Sequence, residues 1–388
     1  MARALFAGSA ALLAALAALL PQGARRAAGG GESAPRLELG PGPELTGFAR
    51  ATKVRPFRLP ADHGPHFEFQ TEWWYYTGNV AAEDGRRYGF QLTLFRRGLT
   101  PGPAAGDGLA TNQVYFAHFA VTDVAGRRHA GKERFARGAG GLAGARGVPF
   151  SVWLEDWRAD ALSRDGRAVR LVARDAASGL SLDLELRAEK PLVAHGDRGL
   201  SPKSDEPGNA SYYVGYTRMA AMGRIGAGGA ERDVAGEAWF DHEWSTSALG
   251  AGAVGWDWFS LQLDDGRELM HFQIRREDGG IEPVSGGTLV ERDGGTRRLG
   301  GHDVAIEERR RWTSPQSGAS YPALWRLAVP AAGLDLLVEP AIPAQEMRTS
   351  FVYWEGAVRV SGRAGGRPVA GQGYVELTGY AGTMQGVF

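Results

Sequence analysis

Six Asp-Gly pairs punctuate the chain, at Asp84, Asp107, Asp165, Asp265, Asp278 and Asp293. This dipeptide supplies the positive backbone φ angles that tight hairpin turns need. Several pairs lie between stretches in which apolar and polar residues alternate, most clearly Tyr88–Phe95 and Trp258–Leu263. A period of two is typical of strands with one buried face. The pattern therefore predicts an all-β protein built from antiparallel hairpins.

The chain also repeats itself. The aromatic run Trp73–Tyr76 precedes an Asp-Gly turn and a returning strand, and the same order follows Trp256–Phe259. In the same way, Gly236–Asp241 is similar to Gly371–Glu376. Such repetition indicates duplication of one β unit. We predict two antiparallel domains, residues 57–246 and 247–388, each a sandwich or a closed barrel.

Two stretches rich in glycine, alanine and arginine interrupt this pattern, at 136–147 and 223–236. Their composition predicts surface loops. Neither lies between a strand and a helix in a Gly-x-Gly-x-x-Gly context, so neither is expected to cradle a phosphate.

The N-terminus has the layout of a secretory signal peptide. Arg3 precedes the apolar run Ala4–Leu20, which is followed by proline and small residues, so residues 1–28 are assigned to the signal and residues 29–56 to a flexible tether. We expect export to the periplasm or the medium. An uncleaved membrane anchor is the alternative, because a spanning helix needs roughly 20 apolar residues.

Composition excludes several functions. Lys plus Arg and Asp plus Glu both number 44, so no basic field is available to hold a nucleic acid. The absence of cysteine excludes disulfides and thiolate metal sites. No Gly-x-Ser-x-Gly elbow occurs, and the run that starts at His242-Glu243 lacks the second histidine of a zinc helix because Thr246 replaces it. We predict no metal and no cofactor.

Candidate acids and bases lie on the aromatic strands, where successive side chains point to opposite faces. On the segment 239–244, His242 shares a face with Trp244, and Asp241 lies on the other face. A carboxyl among large apolar neighbours, as Asp257 is on the strand of Trp256 and Trp258, has a raised pKa and can donate a proton. An aspartate at such a position can equally accept a backbone or indole hydrogen bond.

The same alternation applies to two further strands. Asp257 lies opposite the side that carries Trp256 and Trp258, and Glu72 shares a face with Trp74 and Tyr76. Alternation states which residues share a face, but it does not state which face is inside.

Five aromatic motifs then carry a family resemblance, over about Phe57 to Tyr380. They are Glu72–Gly78, Phe116–Asp123, Trp239–Trp244, Gly255–Phe259 and Gly373–Tyr380. With these motifs the sequence resembles the bacterial family that groups carotenoid 1,2-hydratases with AttH-like proteins, also labelled secreted hydrolases. The resemblance implies two lipocalin-like β-barrel domains in tandem, with a cleft at or near their junction.

The resemblance also implies a reaction. In carotenoid hydratases an acidic residue protonates a terminal isoprenoid double bond, and water then quenches the carbocation without a metal or cofactor. Their His-x-Trp motif corresponds to His242-Glu243-Trp244. Their Tyr-x-Asp acid corresponds to the region Trp256–Trp258, which reads differently here, so Asp257 is one candidate acid and Asp241 its rival.

These observations predict an exported protein that acts on an apolar isoprenoid or polyene. Asp257 or Asp241 would supply the proton, and His242 would position water or tune the acid. The expected ligand-binding residues are Trp244, Trp256, Trp258, Glu72, Trp74 and Tyr76. The alternatives are a non-catalytic envelope carrier for a lipid or pigment and, ranked last, a hydrolase. A peripheral membrane contact is the expected route to an apolar ligand, and the oligomeric state stays open.

Overall fold

The computed structural model describes residues 47–103, 111–246 and 249–385. Strands account for 61% of the structure and helices for 3%, which confirms the all-β prediction. The predicted signal peptide and the first part of the tether, up to residue 46, lie outside the described residues. None of the helices within these ranges has the length and apolar character needed to cross a membrane.

The first sheet is antiparallel, forms a nearly closed barrel and runs in the order β4-β3-β2-β1-β13-β12-β9-β8-β7-β6-β5, with β10 and β11 paired to β12. Its strands are β1 (Thr71–Ala82), β2 (Arg87–Gly98), β3 (Gln113–Asp123), β4 (Arg128–Arg137), β5 (Ala143–Gly147), β6 (Phe150–Leu154), β7 (Trp157–Ala161), β8 (Ala168–Asp175), β9 (Leu180–Ala188), β10 (Val193–Ala194), β11 (Leu200–Pro202), β12 (Ala210–Ala227) and β13 (Ala230–Ser245). A 3₁₀ turn, Ala61–His63, precedes β1.

The second sheet is an antiparallel half-barrel in the order β17-β16-β15-β14-β23-β22-β20-β19-β18, with β21 paired to β22. Its strands are β14 (Ala253–Leu263), β15 (Glu268–Arg276), β16 (Gly286–Val290), β17 (Thr296–Gly300), β18 (Ala305–Thr313), β19 (Ser320–Val329), β20 (Leu334–Pro340), β21 (Glu346–Arg348), β22 (Val352–Ala364) and β23 (Arg367–Leu377). Two 3₁₀ turns, Gly301–Asp303 and Pro330–Ala332, connect strands here. The predicted domain boundary at residue 246 lies between β13 and β14.

Side chains fill the interior of the first barrel. Trp74, Tyr76, Phe240 and Trp157 belong to one buried apolar cluster with leucines from β8 and β9. The second sheet has its own core around Phe259 and other buried residues.

The glycine-rich stretches are not loops throughout, so that expectation was wrong. β5 covers 143–147, and β12 and β13 extend over most of 223–236. The glycines permit close strand approach: a Cβ at Gly236 would collide with the carbonyl oxygen of Asn79, and one at Gly223 with that of Asp183. A glycine-rich composition usually indicates a flexible loop, but these glycines instead allow neighbouring strands to pack closely.

The tether assignment also needs correction at its C-terminal end. Ala51 is buried in a cluster with Tyr212 and Trp244, and the Tyr212 hydroxyl donates to the carbonyl oxygen of Lys53 at 2.8 Å. Residues 47–56 therefore pack on the barrel, because they cover aromatic side chains that would otherwise face water.

The two sheets pack against each other through one face of each. Tyr75, Trp239, Trp258 and Tyr374 belong to a third buried apolar cluster, which lies at this interface. Hydrogen bonds also join the two sheets. Gln262 Nε2 donates to two carbonyl oxygens of the first sheet, at 2.9 and 3.0 Å. The interface is therefore buried and apolar like the core of a domain, with hydrogen bonds between the two sheets.

Candidate active site

A cavity of about 150 Å³ lies between the two sheets. Strands β1, β2, β12 and β13 form one wall, and β14, β15, β22 and β23 form the other. Its aromatic lining consists of Trp73, Tyr75, Phe95, Tyr213, Trp256, Trp258, Phe272, Phe351 and Tyr353. Its ionisable lining consists of Asp241, Glu243, Glu376 and Lys203, besides the tyrosines. The cavity is thus apolar over most of its wall, with a small group of carboxyls.

Strand register brings the carboxyls to this wall. Asp241 pairs with Tyr75, and Glu243 pairs with Trp73, across the β1–β13 ladder. Glu376 pairs with Trp258 across the β14–β23 ladder. Residues directly opposite each other share a face of the sheet, so each acid stands beside an aromatic ring that also lines the cavity.

Asp241 is 3% exposed. The Tyr213 hydroxyl donates to its Oδ2 at 2.6 Å, and the Trp239 indole N–H donates to its Oδ1 at 2.9 Å. Burial raises the pKa of Asp241 to about 8, a rise that these two hydrogen bonds oppose but do not cancel. Asp241 is therefore a neutral carboxylic acid at neutral pH, with a proton to donate.

Glu376 is the second carboxyl with a raised pKa. It accepts a hydrogen bond from the Trp256 indole at 3.0 Å, and burial raises its pKa to about 7. Behind it, Glu355 lies directly opposite on β22 and accepts a 2.5 Å hydrogen bond from the Tyr75 hydroxyl. Burial raises the pKa of Glu355 well above its usual range, and Glu376 adds to that rise.

Glu243 differs from the other two because a cation neutralises it. Lys203 Nζ lies 2.5 Å from Glu243 Oε1, and the Ser211 hydroxyl also donates to this carboxylate. The ammonium group lies 4.9 Å from the ring centroid of Phe272 and 5.5 Å from that of Tyr213. One wall of the cavity thus already holds a positive charge between a carboxylate and two aromatic rings.

Asp257 does not line the cavity. Its side chain lies on the other face of β14, where Oδ1 accepts from Arg275 Nε at 2.9 Å and Oδ2 accepts from Gln273 Nε2 at 2.8 Å. The Tyr380 hydroxyl also donates to Oδ2, at 3.2 Å. The structure therefore separates the two candidate acids, and Asp257 is an ion-paired structural residue in this arrangement.

His242 is also separated from Asp241, since neighbouring residues on β13 point to opposite faces. His242 Nε2 and His66 Nδ1 both lie 2.8 Å from Glu72 Oε1, and Arg96 Nε donates to Glu72 Oε2 at 2.9 Å. Burial by itself would raise the pKa of Glu72, but Arg96 and the histidines hold it well below its usual range. This fully buried cluster lies on the barrel side of β1 and β13, away from the cavity.

The expected ligand-binding residues divide in the same way. Trp256 and Trp258 line the cavity. Trp74 and Trp244 instead pack their rings beside His242, with centroids 5.0 and 4.7 Å away. Glu72 belongs to the histidine cluster, and Tyr76 stacks on Phe240 inside the barrel. Alternation correctly grouped these residues by face, but the cavity is on the face opposite to the one that these four occupy.

Among the described residues, one group of donors could hold a metal ion. Ligand atoms of His66, Glu72 and His242 lie within 4.8 Å of one another. In this structure the Arg96 guanidinium already balances the Glu72 charge, and the two imidazoles are hydrogen-bonded to the same carboxylate oxygen. The Glu72 charge is thus paired within the protein, although the buried His242 Nδ1 has no hydrogen-bond partner among the described residues. We assign the cluster a structural role.

Sequence reasoning did not single out Glu376, Glu243, Lys203, Tyr75 or Tyr213 as site residues. A signal existed for two of them: Glu243 shares the Asp241 face of its strand, and Glu376 lies in the repeated aromatic motif near the C-terminus. Lys203 follows the short strand β11 and carries no local pattern that would have indicated its position.

Comparisons with known proteins place this geometry in context. The family model described as AttH-like matches residues 50–380. The crystal structure of a protein assigned to AttH from Nitrosomonas europaea is 32% identical, with a TM-score of 0.76, and covers 86% of this chain and 100% of its own. Kievitone hydratase from Nectria haematococca shares the fold, at 15% identity and a TM-score of 0.65 over 88% of this chain and 98% of its own. A search of curated proteins returns no match.

Proposed function

The chain belongs to the AttH-like family, and we propose that it binds an apolar isoprenoid or polyene between its two domains and adds water across a C=C bond. The observation that carries this proposal is Asp241, a buried carboxyl on the wall of an aromatic cavity. The name of kievitone hydratase, which shares the fold, supports hydration as the reaction class by analogy.

Asp241 has the environment of a general acid. Tyr213 and Trp239 hold its two oxygens, so the carboxyl is oriented before a ligand arrives. In the proposed step the Asp241 proton passes to one alkene carbon, and the π electrons form the new C–H bond. The other alkene carbon becomes a carbocation.

The aromatic wall supports the second half of the reaction. Faces of the indole and phenol rings attract positive charge, and groups fixed before reaction act without reorganising as that charge develops. Water then forms the C–O bond and loses a proton to the Glu376 carboxylate, which is available as a base because its lower pKa leaves it more ionised at neutral pH than Asp241. Proton exchange with solvent returns both carboxyls to their starting states, so the cycle needs no cofactor.

The test is a mass-spectrometric assay in ¹⁸O-labelled water. Purified protein is incubated with linear carotenoids and polyprenoids, and each product is examined for one added water that carries the label. We expect a labelled tertiary alcohol from at least one probe. The control is protein denatured before mixing.

Two outcomes separate the alternatives. If every probe returns unlabelled and unrearranged, hydration of this substrate class is wrong. If some probes also remain bound through purification, the protein is a carrier for an apolar molecule, because a carrier needs the aromatic cavity but not the acid.

A further inference from the structure

We propose that the cavity between the two sheets is a binding site for small organic ammonium cations, such as a quaternary trimethylammonium group. The inference uses the cavity of the proposed function but does not depend on the proposed reaction. It deepens that function because a stable ammonium ion has the charge and about the bulk of the carbocation that hydration would form.

Lys203 places an ammonium group on the wall of the cavity. Its ammonium group lies against the ring of Phe272 and beside the Glu243 carboxylate, at 4.9 Å from the centroid and 2.5 Å from the oxygen respectively. This pair of contacts is the arrangement by which proteins recognise alkylammonium ligands, an aromatic face with a carboxylate at hand. The molecule therefore already stabilises an ammonium ion at one end of the cavity.

The lining also offers more carboxyl groups than cations, and the protons held by Asp241 and Glu376 can leave when a cation binds. Asp241, Glu243 and Glu376 line the cavity, whereas Lys203 is the one Lys or Arg among the described lining residues. Lys203 pairs with Glu243, so Asp241 and Glu376 have no Lys or Arg partner among the described lining residues. Gln91 adds a buried acceptor: it lines the cavity, is 1% exposed, and its Oε1 accepts no hydrogen bond within the described structure.

The volume of the cavity suits such a group. A cavity of about 150 Å³ is the size that holds a benzene ring when its walls are apolar. A trimethylammonium group is of similar bulk. The remaining aromatic lining, which includes Trp73, Trp256 and Trp258, supplies faces for the methyl groups.

Cation binding should be linked to proton release. The groups that face Asp241 are Glu243, Lys203, Tyr213 and His195. Those that face Glu376 are Glu355, Glu243, Tyr75, Tyr353 and the Trp256 indole. Asp241 and Glu376 are protonated below a pKa of about 8 and about 7. A bound cation favours their ionised forms, so binding below pH 7 should expel protons and binding above pH 9 should expel none.

The experiment compares choline with 3,3-dimethylbutan-1-ol, which has the same shape but no charge, by titration calorimetry on the full protein. We expect choline to bind roughly tenfold more tightly, a typical gain from desolvated aromatic faces. Repeating the choline titration in buffers of different ionisation enthalpy measures the proton release. Asp335→Asn, an exposed aspartate paired with Arg326, is the matched control for substitution.

Three variants separate the contributions. Asp241→Asn and Glu376→Gln should each weaken choline binding and leave dimethylbutanol binding unchanged. Lys203→Met should tighten choline binding about threefold, because it removes a repelling charge and frees Glu243. If Lys203→Met binds choline no better than the wild type, the Lys203 ammonium does not compete with choline for the cavity. That result would contradict the expected effect of its charge.

The results also separate this inference from the hydration proposal. Equal affinity for choline and its neutral analogue, or no choline binding, overturns the cation site and leaves hydration to be judged by the labelled-water assay. Choline binding without label incorporation retains the cation site and rejects the reaction.

Discussion

Replacing Arg96 with methionine is expected to lower the free energy of unfolding by about 3–5 kcal/mol, the usual effect of removing one partner of a buried ion pair. Arg96 is fully buried, and its guanidinium contacts Glu72, Gln113 and the carbonyl oxygens of His66 and Phe69 at 2.8 to 2.9 Å. Without the arginine, the Glu72 carboxylate keeps two histidines but loses its permanent positive partner. Urea unfolding followed by tryptophan fluorescence measures the loss.

Two comparisons keep this prediction testable. Arg170→Met removes an exposed ion pair with Asp183 and should cost less than about 1 kcal/mol. The double variant Arg96→Met/Glu72→Leu should recover part of the stability lost in the single variant, because no unpaired charge remains. If Arg96→Met costs no more than Arg170→Met, the cluster does not contribute as an ion pair.

Replacing Asp241 with asparagine is expected to reduce turnover of any probe that the wild type hydrates by roughly 10²–10⁴-fold, the usual contribution of a general acid. The amide keeps the shape of the carboxyl and an acceptor for the Trp239 indole, but it cannot donate the proton. KM should change little, since the aromatic lining stays in place. Initial rates in labelled water give both constants.

Asp257→Asn is the variant that tests which of the two aspartates is the acid. Asp257 is the same residue type on the neighbouring strand, but its carboxylate is paired with Arg275 on the opposite face. Measured per folded molecule, its turnover should stay close to that of the wild type. A large loss in Asp257→Asn with little loss in Asp241→Asn would reverse the assignment of the acid.

The fold could be predicted from sequence because its signals are local. Asp-Gly turns and alternating aromatic strands report hairpins directly, and the duplicated aromatic runs at Trp73 and Trp256 lie at the start of corresponding strands, β1 and β14. The prediction of loops at the glycine-rich segments was wrong because glycine also occurs in strands, where it allows close backbone approach.

The site could be predicted only in part. Alternation separated Asp241 from His242, but the ligand cavity forms between two sheets, and no pattern within one strand states which face meets the other sheet. Glu376 reaches Trp256 through the β14–β23 ladder, across 120 residues of chain. Such long-range pairing depends on register, which a single sequence does not specify.

The proposed reaction requires a proton-bearing carboxyl on the cavity wall, and the protonation state of Asp241 tests this requirement most directly. The protein would be labelled with ¹³C at the aspartate side-chain carboxyl, and the Asp241 signal assigned from its loss in Asp241→Asn. We expect this carboxyl to stay neutral at pH 7 and to titrate with a pKa of about 8. A midpoint near the ordinary aspartate value of about 3.9 would mean that Asp241 is ionised at neutral pH and cannot be the acid.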